Sequence, residues 1–533
     1  MNQTPRFRFY KDLIRHQAAT RPDKPYILNE GKVITFADYD RATCRAANGM
    51  VAQGAKPGEG VAILMGNCPE YYYLFYGLPR AGIYSVPVNT SLKKDGLRYI
   101  IENSDVRYLV VDDALYGKML ELDEPVSVVK KVFIRRTSDR PLPPGTLDLD
   151  IVLSGNETEP DHPMDPDAVA YLMYTSGTTG FPKGVVNRNG LGTTDGMVLL
   201  SSILTQPDDV LYTALPLFHA NALVLTSTFA LAAGIPFGLD RKFSASRFWD
   251  RIRFYGATQF NGLGAMMPIL MKQPEKPDDG DNPVKKVISA ACPANLWEAF
   301  EKRFNLKIWE AYGAVDGGGV LIFNFGDAPV GSVGKVPPTM EWKLVDEEGK
   351  EVAQGEIGEL ITRNPALEQE VKKRVVEYYK NPDASEKKIK SGWVHSGDYF
   401  YADKNNNLYF VDRKSDSMRR RGENISSFEV ENIVEKFPDV AVCAAFGVPS
   451  ELGEDEVMIA VVPRSGKTVD LNGLMRHCAD QMAYFMVPRF VDIVEDIPRT
   501  ETLRIIKTDL KKKGVTENTW DREKEMPELN LKR

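Results

Sequence analysis

A loop rich in glycine and hydroxyl side chains follows an apolar run in the first half of the chain. Residues 174–184 read YTSGTTGFPKG and come directly after Val169–Met173. Glycine lets backbone N–H groups approach an anion, hydroxyls donate to it, and Lys183 supplies a positive charge. The pattern therefore predicts a phosphate-binding loop rather than a flexible surface loop. It is not a Walker A loop, because Pro182 replaces the second glycine and Gly184 stands where Ser or Thr would bind magnesium.

Three further stretches carry residue types that suit a nucleotide. Tyr312 is followed by a glycine, and Asp316 comes four residues after Tyr312. The tyrosine ring can stack on a base, and the carboxylate can bind a hard cation such as magnesium. Asp398 and Arg413 can both hydrogen-bond ribose hydroxyls. His219 follows an aromatic residue. Each stretch also has a structural interpretation, as a turn that ends a strand, an exposed ion pair or core packing.

The elements that must position these residues alternate between strand-like and helix-like from about residue 32 to 363. This alternation predicts an α/β fold of layered sheets, with functional loops at the strand ends. A helix is predicted at Pro69–Ala81. The predicted strands are Val61–Met65, Tyr84–Val88, Arg107–Val111, Asp209–Leu215, Lys286–Ala290 and Leu306–Ala311.

A smaller α+β region is predicted after Arg413. Residues 426–429 form a capping-box pattern that opens an amphipathic helix. Strands are predicted at 440–447, 457–463 and 489–494, and a helix at 470–485. We therefore predict domains at 1–412 and 417–514, a connecting segment at 413–416, and a polar, poorly packed tail at 515–533.

Composition limits the classes of function. The 533 residues carry a formal net charge of -7, which provides no general attraction to nucleic acid or to an anionic membrane. Five scattered cysteines without a CxxC pair argue against a disulfide framework or a zinc site and favour a cytoplasmic compartment. The chain start lacks the apolar core of a signal peptide, and polar residues interrupt the longest apolar stretch, Ala222–Leu239. No integral membrane segment is expected.

Taken together, these stretches resemble the adenylate-forming superfamily of acyl-CoA synthetases, firefly-type luciferases and peptide-synthetase adenylation domains. The likeness runs from about Asp12 to Leu510, and residues 419–426, RRRGENIS, look most like carnitine/crotonobetaine-type and fatty-acid CoA ligases. It implies a ligase that uses ATP and Mg²⁺ to make acyl-AMP from a carboxylic acid and then acylates CoA. It also implies a large N-terminal domain of layered α/β sheets, with a smaller β-barrel-like part, and a small hinged C-terminal domain.

The resemblance implies roles for residues at matching positions. His219 matches an aromatic gate near the substrate carboxylate, and Asp316 matches the magnesium ligand. Gly422 sits where pantetheine passes the backbone, and Ser415 falls at the hinge. The phosphate loop is matched by Thr175, Ser176, Gly177, Thr178, Thr179, Gly180 and Lys183; the adenine pocket by Ala290, Ala291, Cys292, Ala311, Tyr312 and Gly313; and the ribose clamp by Asp398 and Arg413.

Two positions depart from the family pattern. Arg504 stands where the family has the lysine that bridges carboxylate and phosphate, and Leu503 replaces the glycine before it. Arginine keeps the charge but not the shape, so we assign the adenylation role to Arg504 with Lys507 as the alternative. Val315 replaces a threonine, a loss of roughly 1 kcal/mol for one hydrogen bond. A degenerate protein that binds nucleotide or acyl ligand without turnover is therefore an alternative, against which the intact loop, clamp and hinge argue.

Residues 259–267, QFNGLGAMM, match a wall of the acyl pocket in relatives. With the glycines at 317–319, their small and flexible side chains predict a roomy apolar cavity for a medium- or long-chain fatty acid or a bulky alicyclic or aromatic acid. A carnitine-like zwitterion in an aromatic cage is an alternative substrate. A carrier protein is an alternative acceptor to CoA. The sequence leaves the oligomeric state open, and a homodimer is compatible with it.

Overall fold

The structure is a computed structural model that describes residues 7–122, 126–175, 182–190, 193–263, 266–290, 292–319, 321–365, 376–414, 416–420, 423–450, 455–500, 505–527 and 529. The chain divides into two units: unit 1 is Met1–Leu321 with Ala366–Ser391, and unit 2 is Ile322–Pro365 with Gly392–Arg533. The domain boundary predicted at 413–416 differs from this division and stays a prediction. The sheets mix strands and helices as the predicted α/β class requires.

The first sheet of unit 1 places the predicted nucleotide-binding strands side by side. In spatial order its strands are Lys307–Gly313, Lys286–Ala290, Gln259–Leu263, Leu211–Thr213, Phe237–Leu239, Pro25–Asn29 and Lys32–Thr35. Neighbours pair in parallel, except that the last two are antiparallel. The carboxyl ends of the first three strands therefore share one edge, where ligand-binding loops of such sheets lie. A further strand, Leu321–Asn324, begins at the division between the units.

The second sheet of unit 1 carries the predicted phosphate loop on a hairpin. Its order is Leu147–Asp148, Lys131–Arg135, Val106–Asp112, Gly60–Leu64, Tyr84–Pro87, Val169–Thr175 and Lys183–Arg188. The last two strands are antiparallel, with Thr175 opposite Lys183, and the others pair in parallel. The apolar strands Gly60–Leu64 and Val106–Asp112 are almost wholly buried, as expected of a parallel sheet covered on both faces.

Unit 2 is built from antiparallel strands and a smaller mixed sheet. One sheet runs Glu341–Val345, Gly358–Arg363, Trp393–Ala402 and Leu408–Arg413. A hairpin joins Met418–Arg420 to Glu423–Ile425. The remaining sheet is Val440–Pro449, Asp455–Pro463, Phe490–Ile493 and Trp520–Asp521.

The end of the chain corrects one expectation. We expected residues after Gly514 to pack poorly, but Trp520–Asp521 pairs with Phe490–Ile493 and Met526 is only 1% exposed. The segment is mostly polar in sequence, but two of its apolar residues, Trp520 and Met526, pack in the core of the small mixed sheet. Long-range pairing therefore overrides the composition of this segment.

The helices follow the predicted positions where the sequence pattern is strong. Pro69–Ala81 forms an α-helix at Pro69–Gly77 and a 3₁₀ turn at Leu78–Ala81. Ser426 caps its helix by accepting from Glu429 N. The other α-helices are Tyr10–Thr20, Phe36–Ala52, Lys94–Asn103, Gly117–Leu120, Asp150–Leu153, Thr193–Leu204, Ser227–Ala233, Phe248–Tyr255, Met266–Met271, Ala294–Phe304, Pro382–Lys388, Ser427–Val434, Leu471–Gln481, Thr508–Lys513 and Arg522–Glu525. A π-helix at Asn221–Thr226, a 3₁₀ turn at Ala245–Arg247 and a short strand at Ile389–Lys390 complete the described elements. Among the described helices, none has the length and apolar character needed to cross a bilayer.

Candidate active site

Tyr378 brings together the predicted phosphate-loop lysine and the predicted magnesium ligand within unit 1. The ammonium group of Lys183 lies over the Tyr378 ring, 5.2 Å from its centroid. The Tyr378 hydroxyl donates a 2.5 Å hydrogen bond to Asp316 Oδ2, and Lys388 Nζ lies 3.4 Å from the same oxygen. We call Lys183, Tyr378, Asp316 and Lys388 the Tyr378 cluster.

Backbone pairing explains how Tyr378 reaches this position. Its segment lies beside strand Lys183–Arg188, and Tyr379 N donates to Gly184 O at 2.7 Å. Tyr378 is consequently only 5% exposed. Burial, reinforced by the charge of Asp316, raises the pKa of the Tyr378 hydroxyl, so it remains a hydrogen-bond donor at neutral pH.

Within the described part of the chain, the Lys183 ammonium forms neither a hydrogen bond nor an ion pair. A cation over a ring face is held electrostatically and keeps its N–H donors available. The opposite residue of the hairpin, Thr175, donates to the carbonyl oxygen of Lys183 at 3.4 Å. A lysine oriented in this way suits a phosphate oxygen.

Asp316 has one carboxylate oxygen available for a cation. Tyr378 and Lys388 both contact Oδ2, whereas Oδ1 has no hydrogen bond among the residues that the structure describes. Magnesium beside a nucleotide usually takes one or two carboxylates and completes its shell with phosphate oxygens and water. Asp316 fits that role. Over the same described ranges, no group of three His, Cys, Asp or Glu side chains forms a metal cage.

His219 follows a loop that a distant asparagine holds in place. Asn67 Nδ2 donates to Leu215 O at 2.9 Å, and Asn67 Oδ1 accepts from Leu217 N at 3.0 Å. The His219 and Phe218 rings lie 4.6 Å apart. Burial lowers the pKa of His219 to about 4, so the ring is neutral at physiological pH. Its Nε2 is buried without a partner in the described residues, which leaves one ring nitrogen for a ligand.

The predicted adenine wall lies at the shared edge of the first sheet. Tyr312 is half-buried near the end of Lys307–Gly313, and the neighbouring strand ends at Ala290. Cys292 N donates to Glu310 Oε2 at 3.2 Å, which fixes the start of the loop after Ala290. Burial raises the pKa of the Cys292 thiol, so it stays neutral. Ala290 and Tyr312 therefore lie on adjacent strands, and the contact of these residues with adenine stays a prediction.

The predicted ribose clamp consists of two residues on neighbouring strands of unit 2. Asp398 lies directly opposite Arg413 in an antiparallel pair. Directly opposite residues have Cβ atoms about 5 Å apart, so one ligand can reach both side chains. Gly397 has a φ of 79°, and Lys414 N donates to its carbonyl oxygen at 3.0 Å. The structure brings the two clamp residues together, while their contact with ribose stays a prediction.

A second cluster of a lysine and carboxylates lies in unit 2. Lys507 Nζ donates to Ser427 Oγ at 2.5 Å and pairs with Glu431 Oε1 at 2.7 Å. The same Glu431 oxygen accepts from Ala445 N at 2.8 Å, and Asp412 Oδ2 accepts from Ser427 N at 2.6 Å. We call Lys507, Ser427, Glu431 and Asp412 the Lys507 cluster. Burial raises the pKa of Glu431 to about 7 although Lys507 acts to lower it.

Several predicted residues lie outside the described part of the chain: Ser176, Gly177, Thr178, Thr179, Gly180, Ala291, Ser415, Gly422 and Arg504. Conversely, sequence reasoning missed Tyr378, Lys388 and Asn67. For Tyr378 the available signal was a pair of tyrosines just before the helix start at Asn381 and Pro382.

Comparison with protein-family models shows which family the chain belongs to. The family model of the AMP-binding enzyme matches residues 14–370, which is more than half of the chain. The model of the AMP-binding enzyme C-terminal domain matches residues 429–503. The chain belongs to the AMP-binding enzyme family. Its resemblance to adenylate-forming acyl-CoA synthetases is thereby confirmed.

Individual proteins and solved structures are similar to this chain over most of its length. Crotonobetaine/carnitine–CoA ligase of Proteus mirabilis is 30% identical over 495 residues, covering 90% of this chain and 94% of that protein. An anthranilate–CoA ligase in complex with anthranoyl-AMP superposes with a TM-score of 0.84 at 22% identity, covering 96% and 98% of the two chains. O-succinylbenzoate CoA synthetase from Bacillus subtilis, with ATP and a magnesium ion, gives 0.77 at 24% identity, covering 94% and 99%.

The predicted fold class and enzyme class are both confirmed. The chain has the mixed α/β sheets of adenylate-forming ligases, with a large N-terminal and a smaller C-terminal domain. This AMP-binding enzyme is an acid–thiol ligase that works through an acyl-adenylate. Its class uses ATP and magnesium, with CoA as co-substrate.

Proposed function

We propose that this acyl-CoA ligase activates a medium- or long-chain fatty acid or a bulky hydrophobic acid, with the Tyr378 cluster serving the adenylation step. The observation that carries the assignment is the double contact of Tyr378, with Lys183 on its ring and Asp316 on its hydroxyl. One side chain thereby orients a cation for phosphate and a carboxylate for magnesium. Such groups stabilise the charge that develops during phosphoryl and nucleotidyl transfer.

The proposed roles follow the order of the reaction. In the first step a carboxylate oxygen of the acid attacks the α-phosphorus of ATP, and pyrophosphate leaves. Lys183 binds phosphate oxygens, Asp316 holds magnesium, and the neutral His219 ring lies beside the acid carboxylate. In the second step the CoA sulfur attacks the acyl carbonyl carbon, AMP leaves and the thiol proton is lost. Asp398 and Arg413 bind the ribose.

Arg504 remains the proposed adenylation residue of the C-terminal region. The alternative, Lys507, already donates to Ser427 and pairs with Glu431 in the Lys507 cluster. Two of the three donors of this ammonium are therefore already used within the protein, which disfavours Lys507 as the residue that bridges substrate oxygens. This contrast supports the assignment to Arg504.

The hydrophobic acid is supported by the apolar side chains at the end of the predicted pocket wall. Met266 and Met267 are buried at the start of helix Met266–Met271, and methionine adapts to irregular apolar ligands. A carnitine-type acid is the second candidate, because the Proteus mirabilis relative acts on crotonobetaine and carnitine by name. We keep the cytoplasmic location and the homodimer as predictions.

Mass spectrometry of the purified protein with magnesium-ATP, CoA and a panel of acids tests the proposal. The panel contains decanoic, palmitic, cyclohexanecarboxylic and benzoic acids, together with carnitine and acetate. We expect acyl-CoA from a hydrophobic acid, with acetate a poor substrate. Acyl-CoA from carnitine alone selects the second candidate. Acyl-AMP without acyl-CoA points to a carrier-protein acceptor, and ATP binding without either product supports the degenerate alternative.

A further inference from the structure

A cluster of neutral polar side chains lies on the strand predicted to line the acyl pocket. Asn261 is in the middle of strand Gln259–Leu263 and is 7% exposed. Its Nδ2 donates to Asn221 Oδ1 at 2.9 Å and to Thr226 Oγ1 at 3.1 Å. We call Asn221, Thr226 and Asn261 the asparagine cluster. It begins two residues after His219 in the chain, and its strand ends at the ligand-binding edge of the first sheet.

The hydrogen bonds fix the orientation of both amides. Thr226 Oγ1 donates its single proton to Asn221 O at 3.2 Å, so it can only accept from Asn261. The NH₂ group of Asn261 therefore points to Thr226, and its second proton goes to Asn221 Oδ1. This leaves Asn221 Nδ2 as a donor and Asn261 Oδ1 as an acceptor.

Distant tyrosines hold the asparagine cluster in place. Asn221 and Thr226 are the first and last residues of the π-helix, an element that often marks functional sites. Tyr72 donates to Ala222 O at 3.1 Å and Tyr76 donates to Leu223 O at 3.3 Å. Carbonyl groups of this wider helix thus find partners on helix Pro69–Gly77. The irregular segment is anchored, which preorganises the asparagine side chains for binding.

The two remaining amide groups are not fully enclosed by the protein. Asn221 Nδ2 and Asn261 Oδ1 have no hydrogen bond in the described ranges, yet neither is among the enclosed atoms without a partner. We propose that Asn221 and Asn261 together bind a hydroxyl group in the acyl part of the acid, an inference that rests on the ligase function proposed above. A hydroxyl can accept from one amide and donate to the other, so it satisfies both. The acid is thus hydrophobic in most of its surface and hydroxylated at one position.

The chemistry of the asparagine cluster favours a hydroxyl over a charged or wholly apolar group. All three side chains are neutral, so a charged substituent would lose water without gaining a counter-ion from them. A purely apolar acid would cover a donor and an acceptor and leave both unpaired. A site built to bind a hydroxyl group strongly rejects analogues that lack it. The asparagine cluster therefore determines specificity and takes no part in the bond changes.

Matched pairs of acids test this inference with the full-length protein. Each pair differs by one hydroxyl: 3-hydroxydecanoic and decanoic acid, 10-hydroxydecanoic and decanoic acid, 4-hydroxycyclohexanecarboxylic and cyclohexanecarboxylic acid, 4-hydroxybenzoic and benzoic acid, and carnitine and 3-deoxycarnitine. The readout is the ratio of kcat/KM within each pair, measured by pyrophosphate release. For at least one pair we expect the hydroxylated acid to be preferred by roughly tenfold or more.

Asn261→Leu and Asn221→Leu should bring that ratio close to one. Turnover of the apolar member shows that each variant is folded, and the ratio within the pair is the readout. Asn282→Leu is the control elsewhere in unit 1: it removes two hydrogen bonds that the amide donates, to Asp279 O and Phe304 O, and one that it accepts from Val284 N. It should lower the melting temperature without changing the ratio. If Asn261→Leu does not fold, the half-buried Asn221 provides the deciding variant.

Preference for the apolar acid in every pair, or a ratio that survives both leucine substitutions, would overturn the inference. Absence of product from both members of every pair is a different result, since it contradicts the proposed function itself. The two failures are therefore distinguishable in the same assay.

Discussion

The Tyr378 cluster and the Lys507 cluster use the same three chemical groups, an ammonium, a hydroxyl and a carboxylate, in opposite ways. In the Tyr378 cluster the ring orients Lys183 and leaves its donors unused within the described residues. In the Lys507 cluster the ammonium donates to a hydroxyl and pairs with a carboxylate at 2.5 and 2.7 Å. The ammonium donors of the first cluster are available to a ligand, whereas those of the second are used mainly within the protein.

This difference shows that the exposure of the carboxylates alone does not identify the binding site. The carboxylate side chains of the two clusters have similar exposure, 18% for Asp316 and 14% for Glu431. The carboxylates also have equal numbers of partners, since Tyr378 and Lys388 contact Asp316 Oδ2 and Lys507 and Ala445 N contact Glu431 Oε1. What separates the clusters is the lysine: among the described residues Lys183 has no hydrogen bond or ion pair, whereas Lys507 has one of each. Unused hydrogen-bonding capacity is therefore the better indicator of a ligand site.

The largest expected effect comes from Lys183→Met. Removing one charge-stabilising donor should lower the rate of acyl-AMP formation by about 10²- to 10³-fold. The melting temperature should change little, because no described residue depends on this ammonium for a hydrogen bond. Single-turnover pyrophosphate release and thermal denaturation measure the two quantities. Lys302→Met, at an exposed position on helix Ala294–Phe304, is the control and should alter neither. A lower melting temperature with an unchanged rate would mean that Lys183 stabilises the fold and does not serve the ligand.

The next effect concerns stability rather than rate. Lys507→Met leaves the Glu431 carboxylate without its cation, and we expect the free energy of unfolding to fall by about 2 to 3 kcal/mol at pH 9, well above the pKa of this group in the unsubstituted protein. Adding Glu431→Gln should recover most of this loss, since an amide can still accept from Ala445 N. Lys513→Met breaks a more exposed pair with Asp492 and should cost under about 1 kcal/mol. Denaturant titrations of these three variants and of the unsubstituted protein give these values.

The pH dependence of the Lys507→Met variant provides a second readout of the same change. The folded pKa of Glu431, about 7, is raised above its usual value of 4.5. Its contribution to stability is therefore full below pH 4.5 and is lost as pH rises through 7. Without Lys507 this pKa should rise further. The deficit relative to the unsubstituted protein should thus be small at pH 5 and larger at pH 8. A deficit that does not vary with pH would contradict the assignment of the pair.

The smallest effect is expected for Tyr378→Phe, which removes the hydroxyl group and keeps the aromatic ring. The ring under Lys183 remains, but Asp316 loses a hydrogen bond worth about 1 kcal/mol. We expect a roughly fivefold change in the magnesium concentration that half-saturates acyl-AMP formation, with a smaller change in maximal rate. Tyr378→Leu, which also removes the ring, should reduce the maximal rate further. Equal rates for the two variants would show that the cation–π contact does not orient Lys183.

Much of the fold was predictable because strong local patterns survive in the tertiary structure. The strand Lys286–Ala290 has the predicted bounds, and the predicted helix at Pro69–Ala81 differs only in its last turn. The tail was mispredicted, since two apolar residues in a polar segment give no periodic signal. The division of the chain into units was not accessible to reasoning from local pattern.

For the site, the sequence by itself determined the family and the residue types, because the phosphate loop, the Tyr312 turn and the Asp398 and Arg413 stretches are local motifs in a fixed order. Only the tertiary structure decided which side chains meet. Tyr378 reaches Asp316 because its segment pairs with strand Lys183–Arg188, and Asn261 reaches Asn221 because a strand packs against a π-helix. Local periodicity reports which face of an element is buried, but it carries no information on which distant element covers that face. Contacts between residues far apart in the chain are therefore set by packing, and these contacts distinguish the lysine available to a ligand from the lysine that the protein already satisfies.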